Sequence, residues 1–127
     1  MNTKKKGDRG VGRAICAFTT HGWTVCIPVT DSQDFDLVID IPDEGWKRVQ
    51  VKYIEAKARS GAYTAQLGVR GGTKGGIWKK PSEMNFDYLF VAAGDGTDWF
   101  VPRDKIRSAI SLGIKTKNRH YLFKGSA

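Results

Sequence analysis

The chain has 127 residues, 40% hydrophobic and 27% charged, with 21 Lys and Arg against 13 Asp and Glu for a net charge of +8. These proportions are those of an ordinary globular protein and exclude a low-complexity chain, and the two cysteines are too few for a disulfide scaffold. No run approaches the roughly 20 apolar residues of a membrane span, and the opening MNTKKKGDRG has no apolar stretch of the secretory kind.

One domain over residues 1–127 is expected from this length, which can close a single core. A cytoplasmic chain without a membrane partner is expected as well. Cys16 and Cys26 belong to no CxxC pair and are expected as buried thiols in a reducing compartment.

In chain order, Lys5 to about His21 predicts a helix, because Val11, Ala14, Ile15 and Phe18 recur at the spacing of one buried face. Gly22 supplies its stop. Trp23–Pro28 reads as a strand, β-branched and aromatic and closed by proline. A polar loop over Thr30–Asp34 leads to a second strand, Phe35–Ile41. Turn chemistry in Pro42-Asp43-Glu44-Gly45 joins it to a third, Arg48–Tyr53, making a hairpin. Gly61–Gly76 is glycine-rich and basic, with a strand around Tyr63–Val69. Tyr88–Ala93 and Trp99–Val101 form a strand and its return across the Asp95-Gly96 turn. Pro102, Arg103 and Asp104 are expected to open a short helix with Ile106 and Ile110 on one face. A last edge strand is expected at Tyr121–Phe123. Helix, strands and helix in that order imply an α/β (α+β) fold with a central mixed sheet flanked by helices.

Charge is distributed unevenly. Residues 1–13 hold Lys4, Lys5, Lys6, Arg9 and Arg13 against Asp8, and residues 52–80 hold seven cations against Glu55 alone. Residues 103–124 carry seven more against Asp104. Between them, residues 31–44 hold Asp31, Asp34, Asp36, Asp40, Asp43 and Glu44 with no Lys or Arg. A basic chain with one concentrated acidic stretch suits a polyanion surface around a metal-binding pocket.

The hairpin carries the chemistry. Side chains alternate faces along a strand, so Gln50 and Lys52 share one. A turn centred near Glu44 would set Asp36 opposite Lys52 and Val38 opposite Gln50, while Leu37, Ile39, Val49 and Val51 point into the core. A carboxylate, an amide oxygen and an ammonium then converge. Phosphodiester cleavage needs such a set: Asp36, Gln50 and the Val51 carbonyl as oxygen ligands for Mg²⁺ or Mn²⁺, and Lys52 to orient water and stabilise charge on the phosphate. Tyr63, Gln66, Arg70 and Lys74 mix with glycines as candidates for contacts to DNA. Lys5, Lys6, Arg9, Lys79 and Lys80 are further candidates for phosphate contacts. GVRGG lacks the GK[ST] signature of a P-loop, and His21 and His120 form no HNH-type pattern.

Taken in order, KKKGDRG, IPVTDSQDFDLVID, RVQVK, YTAQLGVRGG and FDYLFVAAG with WFVPRDKI resemble the PD-(D/E)XK nuclease superfamily, and within it the group I intron-encoded homing endonucleases, over about residues 4–112. The resemblance implies that fold, Mg²⁺-dependent cleavage of double-stranded DNA at a long site, and a homo-oligomer, dimer or tetramer. The matching site positions are Asp36, Gln50 and Lys52, with Gln50 where most of the superfamily has Asp or Glu. One departure stands out: a "GE" pair common on the family's first helix reads Gly10-Val11 here, and Val11 cannot bind a metal. Asp8, one turn earlier, is the nearest acidic substitute. A Holliday-junction resolvase or restriction-type nuclease on the same fold, and a DNA-binding module that no longer cleaves, are the alternatives.

Overall fold

A computed structural model describes residues 2–67, 69–70, 78–79 and 84–124, with the backbone alone at 69–70 and 78–79. Helix α1 spans Thr3–Thr20. The strands are β1 (Thr24–Cys26), β2 (Leu37–Ile41), β3 (Gly45–Ile54), β4 (Tyr63–Gln66), β5 (Val69–Arg70), β6 (Trp78–Lys79), β7 (Tyr88–Ala93), β8 (Asp98–Pro102) and β9 (Ala109–Leu112). A five-stranded sheet runs β1-β2-β3-β7-β8, and β4-β9 and β5-β6 form two-stranded ribbons. The large sheet is mixed: β3 and β7 are parallel, and its other neighbours are antiparallel.

Helix α1 starts where the Asn2 side chain accepts the Lys5 N–H at 2.9 Å. It ends at His21, followed by Gly22 at φ 88°, a left-handed position that glycine adopts without strain. Its buried face, Gly10, Ala14, Ala17 and Phe18, lies on Leu37, Ile39, Ile41, Val49, Phe90 and Ala92. Gly10 permits close approach, since a Cβ there would stand 3.2 Å from Val51 Cγ1 and 3.3 Å from Tyr53 Cβ. Phe18, Trp23, Phe100 and Phe123 pack edge-to-face and stacked behind it.

Among the described residues, the sheet's other face is covered by the β4-β9 ribbon rather than by a second α-helix. Tyr63, Ala65, Leu67, Ile110 and Leu112 pack there on Leu89, Val91, Trp99 and Val101. Strand β7, paired on both edges, is therefore apolar on both sides, and every residue from Leu89 to Ala93 is buried.

Several expectations are corrected. The helix after Pro102 is only a 3₁₀ turn, Arg103–Lys105, because Ile110 alternates with exposed neighbours as part of β9. Tyr121–Phe123 is no strand: a 3₁₀ turn covers Arg119–Tyr121, and Leu122 makes an isolated bridge to Trp99. Cys16 and Cys26 are both exposed, one on the outer side of α1 and one on edge strand β1. Among the described residues, no helix is long and apolar enough to cross a membrane.

Candidate active site

Strand β3 positions the site. Its ladder to β2 pairs Ile41 with Gly45 and ends with Leu37 opposite Val49. The three-residue turn Pro42–Glu44, with Asp43 at φ 70°, centres the hairpin on Asp43. The register expected from a turn at Glu44 is thus displaced: Val38 faces Arg48, not Gln50, and the ladder closes at Leu37 opposite Val49, which leaves Asp36 just past its end and not paired with Lys52. The displacement amounts to two residues in the pairing, and strand alternation has period two. Every side chain keeps its face. Leu37, Ile39 and Val49 are fully buried toward α1. Asp36, Gln50 and Lys52 fall on the other side.

Beyond Val49, β3 is still paired with β7 through Ile54, but β2 has ended. Asp36 stands at that fork. Its N–H donates to the Val49 carbonyl at 2.8 Å, and its carboxylate accepts the Val51 N–H at 2.7 Å. N–H and C=O of one extended residue point to the same side, so the Val51 carbonyl is directed toward the Asp36 edge as well.

The electrostatics of the fork are unusual. Asp36 is exposed as a residue, yet the protein around its carboxyl desolvates it enough to raise its pKa, against the lowering pull of the Val51 N–H and the Lys52 charge. Desolvation likewise lowers Lys52, against the opposing influence of Asp36. The Gln50 Oε1 atom is buried with no hydrogen-bond partner. Buried polar atoms without partners are rare and costly.

Those three oxygens, a carboxylate, an unpartnered carboxamide and a backbone carbonyl, are the donor set of a hard divalent cation. Val11, half-buried, packs into the apolar layer under α1 and brings no oxygen. Asp8 is exposed and does not line the cleft beside Lys52. The dense acidic stretch does not converge either. Asp34 caps the Asn85 N–H at 2.9 Å, Glu44 accepts the Tyr88 hydroxyl at 2.5 Å, and no three His, Cys, Asp or Glu cluster for a metal among the described residues.

Lys52 opens into a cleft of about 520 Å³ whose rim includes Thr3, Lys6, Gly7, Thr64 and Gln66. Thr3 and Gly7 were not anticipated from sequence. They belong to an i, i+4 row with Val11, and that spacing was a usable signal. Of the other anticipated contacts, Lys5 is exposed, Lys6 pairs with Glu55 at 2.9 Å, and Arg9 donates to the Tyr53 hydroxyl at 3.2 Å while lying over its ring. Tyr63 must be withdrawn as a base contact, because its ring is buried in the core at 4% exposure. Arg70 and Lys79 lie in β5 and β6 with their side chains undescribed, and Lys74 and Lys80 fall outside the described residues. Arg13 is structural: its guanidinium holds Ala93 O, Thr97 O and the Asp98 carboxylate.

A mixed sheet that presents an acid, an amide and a lysine at the fork of its central hairpin is the framework of a metal-assisted nuclease. Residues 1–122 match the model of the PD-(D/E)XK endonucleases, and the chain belongs to that family, whose members generally use divalent metals. Among solved structures, the chain resembles in fold a bacterial homing endonuclease, I-Ssp6803I, with a TM-score of 0.76, 24% identity, and coverage of 96% of this chain and 89% of that one. No curated protein matches the chain.

Proposed function

We propose that this chain is a Mg²⁺- or Mn²⁺-dependent endonuclease of the homing type, cutting double-stranded DNA at a long site as a homo-oligomer in the cytoplasm, with residues 1–127 as one nuclease domain. The buried, unpartnered Gln50 oxygen beside Asp36 and Lys52 carries the proposal. A family that acts on DNA, the charge of +8 and the intron-endonuclease resemblance support it.

Asp36, Gln50 and the Val51 carbonyl would hold the cation. When bound, it neutralises phosphate charge and lowers the pKa of a water. The Val51 N–H keeps the Asp36 carboxylate turned into the fork. Lys52, partly desolvated, sets its ammonium against charge that develops on the phosphate oxygens, where low local dielectric strengthens it. Lys6 at the cleft rim would leave its ion pair with Glu55 to hold a flanking phosphate.

Plasmid and randomised linear DNA incubated with Mg²⁺ or Mn²⁺ test the proposal. Cleavage is expected in the wild type and slowed by about 10²–10³ in Lys52→Ala; wild-type protein that binds DNA but never cuts it would refute the enzyme. Val11 favours a second reading, a DNA-binding module that has lost cleavage, because α1 contributes no acid to the fork.

A further inference from the structure

We infer that the outward face of the β4-β9 ribbon lies in the major groove beside the cleaved phosphate, with Gln66 and Ser111 facing base edges. The inference rests on the nuclease reading for its position, but the surface has its own logic.

The ribbon pairs Tyr63 with Leu112, Thr64 with Ser111, Ala65 with Ile110 and Gln66 with Ala109. Tyr63, Ala65, Ile110 and Leu112 are buried at 7% exposure or less. Alternation leaves Thr64, Gln66, Ala109 and Ser111 on the other face, where Thr64 is half-buried and the rest are exposed. This face carries no charge and no large apolar group. Its side chains are short except for Gln66, which can pair with adenine in a bidentate way. Ser111 offers both a donor and acceptors. A protein partner would more naturally meet an aromatic or apolar patch.

Shape agrees with composition. Two strands lie roughly 5 Å apart, and a groove roughly 12 Å wide admits a two-stranded ribbon. Small side chains let the backbone approach closely. Cations stand at the ends, where the groove walls would be: exposed Arg107 two residues before β9, exposed Lys115 three residues after it, and exposed Lys57 and Arg59 in the loop before β4. The ribbon is also braced. Asn118 Nδ2 donates to Ser111 O at 2.9 Å, and Leu67 N–H donates to Ser108 O at 2.8 Å. A surface already rigid loses little freedom on docking. Finally, Thr64 and Gln66 line the Lys52 cleft, so a duplex seated on the ribbon brings a phosphate to the fork.

The test is selection of bound sequences from randomised duplexes by the full-length chain, with Ca²⁺ replacing Mg²⁺ so that DNA is recovered whole. Gln66→Ala and Ser111→Ala are expected to lower discrimination at particular base pairs from about tenfold to about twofold, while affinity for random DNA stays unchanged. Arg107→Gln and Lys115→Gln are expected to weaken all sequences alike and to reduce the salt slope by about 0.9 per cation. Lys47→Gln, toward the other end of β3, should leave the slope alone. Dimethyl sulfate footprinting should show guanine N7, in the major groove, protected.

Wild-type protein that selects no motif, a motif unchanged in both Gln66→Ala and Ser111→Ala, or protection confined to the minor groove would each overturn the inference. A normal motif without cleavage under Mg²⁺ or Mn²⁺ defeats the nuclease reading and leaves the ribbon standing. Cleavage with an unaltered motif in both variants defeats the ribbon alone.

Discussion

Strand β3 takes part in two acid–base pairs, and they behave oppositely. At its start, Arg48 meets Asp87 through three hydrogen bonds, from its backbone N–H at 2.8 Å and its guanidinium at 3.1 Å twice, and it also reaches Asn85. Burial alone would raise Asp87, but those bonds and the Arg48 charge hold it below its ordinary value. Hydrogen bonding to Asp87 raises Arg48 in turn. Four residues on, burial pushes Asp36 up and Lys52 down, each toward its neutral form. One pair is satisfied and fastens β3 to the start of β7. In the other, burial outweighs the mutual attraction, beside an amide oxygen that has no hydrogen-bond partner. Titratable groups shifted by desolvation beside a cleft are candidates for function, whereas satisfied pairs mark architecture.

Breaking the desolvated pair should have the largest effect. Asp36→Asn or Lys52→Ala is expected to slow cleavage by about 10²–10³, with DNA affinity within a few-fold of wild type in filter binding. Equal rates would reassign the chemistry. Breaking the satisfied pair should act on stability instead. Asp87→Asn is expected to cost about 1–3 kcal/mol, nearer the low end because the pair is about one-third exposed, read as a lowered denaturation midpoint.

The two pairs also differ in sign with pH. Asp36 keeps its proton in the folded chain above 3.8, so between 3.8 and its folded value stability falls as pH rises. Asp87 lies below 3.8 when folded; its contribution is present above 3.8 and lost as pH falls through the folded value. Denaturation of metal-free protein from pH 3 upward should show the first slope vanish in Asp36→Asn and the second in Asp87→Asn. Identical curves for all three proteins would remove the contrast.

A smaller change should sharpen the site. Helical side chains lean toward the N-terminus, so a carboxylate at position 11 would extend over Gly7 toward the Lys52 cleft. Val11→Glu is expected to raise cleavage about tenfold at limiting Mg²⁺, a rough figure for one added ligand-type contact. A rate that does not rise would show that α1 is set too far back.

Much of this was legible in sequence because it depends on period. The apolar row on α1 and the alternation in FDLVID and RVQVK survive an error in the turn, since moving the hairpin centre from Glu44 to Asp43 shifts partners by two and preserves faces. Position within a turn is set by backbone conformation, here the left-handed Asp43, which composition does not reveal. The β4-β9 pairing was hidden for a related reason: its partners are distant in sequence, Ala65 and Ile110 being 45 positions apart, and local pattern made Ile110 look helical. Exposure of the cysteines and burial of Tyr63 follow from which face each element turns inward, and this too is a tertiary fact.

The most direct test of the central claim is Mn²⁺ binding followed by electron paramagnetic resonance in the wild type, Asp36→Asn and Gln50→Met. Methionine fills the glutamine's volume without its oxygen. Saturable binding is predicted in the wild type, with loss in Asp36→Asn and weakening of about 10–100-fold in Gln50→Met. Binding unchanged in Gln50→Met would contradict the account, because the unpartnered oxygen would then have no cation to meet.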